Sequence, residues 1–244
     1  MRRSLRRSLA AVSAAGFLLL WSAGPATAAT GRIDSAEGTA AGTLSIVFSA
    51  IDLPAGSSID EESVKVQING QVVPTAVTPI EDAEELPLRT TFLVMDTSGS
   101  MNEPTPDGGS RLVAAKGAAS AYLRSVPSDV EVGLITFADD ATVRVEPTTD
   151  RGSVRRAIDA LEAAGSTALY DAVVLASKEL PTEGVRSQIV LSDGVDEGSS
   201  ATLPGARAAV EASGATLDAI ALGAAAATNP ALVQLADSGN GTVT

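Results

Sequence analysis

From Leu88 onward, short apolar runs alternate with segments whose apolar residues recur at helical spacing, and no other feature restricts the fold as much. Residues 91–95, 130–137, 188–191 and 216–222 read as strands, with a short one at 142–145 beside the second. The first is apolar almost throughout, as befits a strand covered on both faces. Between the strands lie helices. Residues 111–124 carry Leu112, Ala115, Ala119 and Tyr122 on one side, and Asp150 caps a helix bearing Val154, Ile158 and Leu161. Leu169, Ala172, Val173, Ala176 and Leu180 form a core-facing stripe. A helix over 204–212 follows, and Asn229-Pro230 sets an amide cap before a proline at the first helical position. Strands that alternate with helices need crossover connections. The predicted fold is therefore α/β: a doubly wound, mostly parallel sheet with helices on both faces. Gly241 to Thr244 reads as the start of another strand with no helix after it, so this domain, residues 89–244, is expected to be C-terminally truncated.

Three segments precede it. Arg2, Arg3, Arg6 and Arg7, an apolar stretch and Ala26-Thr27-Ala28 read as an export signal peptide over residues 1–28. Residues 29–80 read as a small β module, because Leu44, Ile46 and Phe48 alternate with polar residues, as do Val64, Val66 and Ile68. Asn69-Gly70 between apolar-alternating runs predicts a tight hairpin turn with positive φ. Residues 81–88 read as an acidic linker. The expected localisation is secreted or cell envelope, with membrane attachment only through an uncleaved signal or a missing C-terminal segment.

Composition then removes whole classes of chemistry. The chain has no cysteine and no histidine, so disulfides, thiolate or imidazole metal sites and a Ser-His-Asp triad are excluded. Any metal must be held by oxygen, which favours hard cations. With 17 basic residues against 30 acidic, and four of the basic ones in the leader, nucleic acid is an unsuitable partner.

Two apolar strands end in aspartate: "FLVMD" at Asp96 and "IVLSD" at Asp193. In open parallel sheets ligands bind beyond the carboxyl ends of the strands, so neighbouring strands would bring both carboxylates to one rim. Two anions that close disfavour each other unless a cation lies between them. Ser98 and Ser100, spaced i, i+2, can aim both hydroxyls at one point, and Thr167 can add a third from another loop. Two carboxylates and three hydroxyls make an oxygen-only set suited to Mg²⁺, with Mn²⁺ or Ca²⁺ as alternatives.

"DTSGS" after a strand, the threonine of "GSTALYDA" and the aspartate of "LSDG" together resemble the von Willebrand factor type A family. The resemblance runs from about residue 90 to the C-terminus and includes "VGLITFADDATV" and "LDAIALG". It implies that Asp96, Ser98, Ser100, Thr167 and Asp193 form a metal-ion-dependent adhesion site, matching the family's motifs position by position. It also implies a partner protein whose Asp or Glu carboxylate completes the metal shell.

Each motif alone has a plainer reading: a capped strand-to-helix loop for "DTSGS", a helix cap for Thr167, a turn for Asp193-Gly194. Asp171 is expected to serve structure near a helix N-terminus, and Asp139-Asp140 to face solvent at a hairpin tip. Glu103 and Asp107 could approach the site from the following loop, although their stretch reads first as a flexible connector. The function expected is metal-dependent protein binding, in adhesion or assembly, without catalysis. The alternatives are a structural subunit of a membrane or secretion-associated assembly with a purely stabilising metal, and a metal-assisted hydrolase.

Overall fold

The computed structural model describes residues 30–38, 44–51, 59–61, 64–68, 70–78, 87–106, 108–223 and 226–244. The predicted leader, residues 81–86 of the acidic linker, Asn69 and Asp107 lie outside them. β1 (Thr30–Gly38) and β2 (Leu44–Ile51) form a two-stranded sheet. β3 (Val66–Ile68) and β4 (Gln71–Val73) pair antiparallel, with Val66 opposite Val73, and Gly70 turns at φ +78. The chain divides into two units, and Pro87–Thr244 falls in the larger.

That segment is built on β5 (Arg89–Asp96), the expected apolar strand, buried along nearly its whole length. After a 3₁₀ turn, α1 (Arg111–Ser125) leads to β6 (Glu131–Phe137), which pairs parallel to β5. β7 (Ala141–Thr148) returns antiparallel along β6. α2 (Arg151–Asp159) and α3 (Leu169–Glu179) lead to β8 (Val185–Ser192), on the other side of β5. α4 (Leu203–Ser213), β9 (Thr216–Ala221) and α5 (Pro230–Ser238) follow. The strand order is β7-β6-β5-β8-β9, and every pair except β6–β7 is parallel. Helices cover both faces, as the sequence predicts. Val243 bridges Ala219 in parallel, so the last residues lie along β9.

Alternation along β5 divides the core. Phe92 and Val94 pack with residues of α3, α4 and α5, among them Leu169, Val173, Val210 and Leu232. Leu93 and Met95 pack with Leu112, Ala115 and Leu123 of α1 and Val154 and Ile158 of α2. Each such large side chain contributes about 1.5–3 kcal/mol by leaving water. Gly133 of β6 sits opposite Phe92, and its lack of a side chain leaves room for the ring: a Cβ there would lie 2.4 Å from Phe92 Cε1. The predicted caps form. Asp150 accepts from the amides of Gly152 and Ser153, and Asn229 Oδ1 accepts from Ala231 at 2.8 Å. Among the described residues, no helix is long and apolar enough to cross a membrane.

Candidate metal centre

β5 connects toward β6 while β8 connects toward β9, so the carboxyl ends of these neighbouring strands meet where the winding reverses. Such a switch point is where open parallel sheets leave a crevice. Met95 pairs with Leu191, which places Asp193 just beyond the end of the ladder. Ser100, Thr167 and Asp193 line one cleft of about 310 Å³, together with Glu103, Arg111 and Glu197. Asp96 is buried at the end of β5 and Ser98 is buried in the loop that carries Ser100.

The geometry around Asp96 is specific. Its Oδ1 accepts from the Ser98 amide at 2.8 Å and its Oδ2 accepts from Ser192 Oγ at 2.6 Å. Burial pushes its carboxyl above the ordinary carboxylate range; hydrogen bonds from Ser192 and Ser98 oppose this, and the charge of Asp193 adds to it. The plainer reading of "DTSGS" is therefore correct for Asp96, which does cap a loop amide. It does not extend to the serines. Ser98 Oγ and Ser100 Oγ face each other at 3.0 Å, and Ser98 makes no side-chain cap to the 3₁₀ turn that follows it. Thr97 points the other way, donating its hydroxyl to Phe137 O at 3.0 Å, so it ties the loop to β6.

Thr167 arrives on a loop fastened at several points. Ala164 N–H donates to Thr97 O at 2.8 Å, and Gly99 N–H to Gly165 O at 2.9 Å. The amides of Glu197 and Gly198 both donate to Thr167 O, at 2.9 and 3.1 Å. The N-cap of α3 is Ala168 and has no side-chain cap bond, so Thr167 does not serve as the helix cap. Asp139 corrects an expectation. Instead of facing only solvent, its Oδ1 accepts from the Ser166 amide at 2.8 Å, and Gly165 at φ +85 lets the loop pass the carboxylate. Asp171 turns to structure, as expected: its two oxygens accept from the amides of Ser200 and Ala201, each at 2.8 Å.

Asp193 is held by a partner distant in sequence. Arg111 Nη1 donates to Asp193 Oδ2 at 2.9 Å, and Arg111 Nη2 pairs with Glu103 Oε2 at 2.6 Å. Glu103 thus reaches the cleft from what reads as a connector. Gly194, at φ +88, turns the chain where a Cβ would meet Leu232 Cδ1 at 2.8 Å, and Asn229 Nδ2 donates to Gly194 O. Beside the Arg111 guanidinium, Asp96, Ser98, Ser100, Thr167 and Asp193 offer only oxygen: two carboxylates and hydroxyls that are not committed to the backbone. That donor chemistry fits a hard divalent cation. Among the described residues no three carboxylates converge as a ligand cluster.

Fold and crevice together define a doubly wound α/β domain with a polar cleft at its topological switch point. Residues 91–195 match the von Willebrand factor type A domain family. A UPF0353 protein of Mycobacterium tuberculosis is 39% identical over 93 residues, covering 38% of this chain and 28% of that protein, so the chain matches only a minor part of that relative's length. Among solved structures, an aerotolerance-related membrane protein of Bacteroides fragilis aligns with a TM-score of 0.52 at 24% identity, covering 64% of this chain and 90% of its own. A von Willebrand factor type A protein from Catenulispora acidiphila aligns with a TM-score of 0.53 at 22% identity, covering 65% of this chain and 38% of its own. Residues 91–195 are thus similar in sequence to that family, and the α/β unit shares its fold with these solved structures.

Proposed function

We propose that the cleft holds a divalent cation, Mg²⁺ with Mn²⁺ or Ca²⁺ as alternatives, and that the chain is an exported adhesion or assembly module binding a partner protein's Asp or Glu there. Asp96, Ser98, Ser100, Thr167 and Asp193 would hold the ion, which supplies the positive charge that an incoming carboxylate meets. One observation carries the reading. Ser98 and Ser100 turn their hydroxyls toward each other beside a buried carboxylate, on a loop locked by backbone bonds to the one bearing Thr167. Hydroxyls that served only the loop would bond to its amides.

Binding is favoured over catalysis because the chain has no histidine and, among the described residues, no lysine lines the cleft to act as a base. Export is supported by the leader-like residues 1–28.

The test is a thermal melt in EDTA, Mg²⁺, Mn²⁺ and Ca²⁺, beside Asp96→Ala and Asp193→Ala, followed by binding of acidic peptides with and without metal. A ligand specific to the folded state stabilises it by about 2.7 kcal/mol at a hundred times its Kd. The expected result is a metal-dependent rise in wild type alone and peptide retention that EDTA abolishes. A cooperative melt indifferent to metal refutes the site. A metal-dependent rise without carboxylate binding would favour the purely stabilising role.

A further inference from the structure

Arg111 stands where a cation is least expected. It is the first residue of α1, at the positive end of the helix dipole. Its side chain is nonetheless largely enclosed, 21% exposed, because two carboxylates face it across the cleft. Nη1 donates to Asp193 Oδ2 at 2.9 Å, with Ser100 O a further 3.5 Å contact, and Nη2 pairs with Glu103 Oε2 at 2.6 Å. The guanidinium lies over Gly223, where a Cβ would come within 3.2 Å of Nε. The mount is firm as well: Arg111 N–H donates to Glu103 O at 3.0 Å, and a Pro104–Ser110 bridge closes the loop between them.

We propose that Arg111 is the cleft's resident counter-cation: its guanidinium neutralises Asp193, and a divalent ion gains Asp193 only in competition with it. This rests on the reading of the cleft as a cation site and adds what sets its affinity. Two cations drawing on one carboxylate in partly enclosed surroundings oppose each other. Neutralising Arg111 therefore tightens metal binding. An arginine that only oriented Asp193 as a ligand would have the opposite effect, since its removal would loosen the ligand. The competition also makes Arg111 a determinant of specificity. A monovalent ion brings no more charge than the guanidinium it must displace, whereas a divalent ion brings twice as much.

The experiment is Mn²⁺ titration followed by electron paramagnetic resonance, with calorimetry for Mg²⁺, on the whole chain as wild type, Arg111→Met, Arg111→Lys and Asp96→Asn. Arg111→Met is expected to bind roughly tenfold more tightly, the equivalent of one charge-assisted hydrogen bond no longer opposing the metal. Arg111→Lys retains the charge and is expected within about threefold of wild type. Binding by Arg111→Met where wild type shows none supports the proposal in its strongest form. Equal or weaker binding by Arg111→Met, with wild type binding, overturns the proposal and leaves the cation site standing. Absence of binding by both overturns the proposal and the site together, and undiminished binding by Asp96→Asn does the same by placing the ion elsewhere. Should Arg111→Met fail to melt cooperatively in EDTA, Arg111→Gln supplies the same comparison with a polar side chain.

Discussion

Gly133→Ala tests the packing that delivers Asp96 to the cleft. Gly133 and Phe92 are opposite one another on β6 and β5, and Phe92 is fully buried. A methyl at Gly133 would lie 2.4, 2.7 and 3.1 Å from Cε1, Cδ1 and Cζ of the ring. Restoring ordinary carbon contact at ~3.5 Å requires the ring or the strand to move by about 1 Å. Neither has free space, because Phe92 belongs to the cluster that also holds Val94, Leu169 and Val173. Overpacking of this kind costs about 1–3 kcal/mol, while alanine recovers about 0.5–1 kcal/mol of backbone entropy relative to glycine. The net loss expected is about 1–2 kcal/mol, a fall in Tm of roughly 2–8 °C for a domain of this size. Thermal melts in EDTA read the loss directly. Adding Phe92→Leu makes the cause identifiable, since the smaller side chain accommodates the methyl and the double variant should be more stable than the sum of the single effects by at least about 0.5 kcal/mol. A Gly133→Ala protein that melts at or above wild type, or strict additivity with Phe92→Leu, would refute the packing argument.

Two other outcomes follow from the cleft and its surroundings. Because burial holds the Asp96 carboxyl above its ordinary value of 3.8, its contribution to metal-free stability is fully present below that value and declines as pH rises through the raised folded one. In EDTA, wild type should therefore lose Tm relative to Asp96→Asn as pH rises above that ordinary value, and parallel curves for the two proteins would contradict this sign. Asp171→Ala frees the amides of Ser200 and Ala201, and should cost about 1–3 kcal/mol while leaving any metal-induced rise in Tm intact; loss of that rise would make Asp171 part of the site.

Much of the α/β architecture was legible because burial writes directly into local pattern. A strand covered on both faces must be apolar at consecutive positions, and β5 is; a helix on a sheet must repeat its apolar residues at i, i+3, i+4, and α3 does. The caps at Asp150 and Asn229 were equally readable, since capping chemistry lies within three residues. Contacts between distant segments were not. Arg111 and Asp193 are 82 positions apart, and in the sequence Arg111 was only the start of a helical stripe. Asp139 reads as a hairpin tip, and only the fold carries it to the Ser166 amide 27 positions away. Ser192 falls beside Asp96 because Met95 pairs with Leu191, a register that the two runs ending in aspartate do not reveal.

The backbone bonds around Thr167 have a consequence for how this cleft can change. Its loop is tied on one side to residues 97–99 and on the other to residues 197 and 198, in each case through main-chain groups. The spacing between the walls is thus held largely by main-chain bonds, to which the Asp139 carboxylate adds a bond from the Ser166 amide. Variation in such a chain can retune what the cleft grips without rebuilding the sheet beneath it.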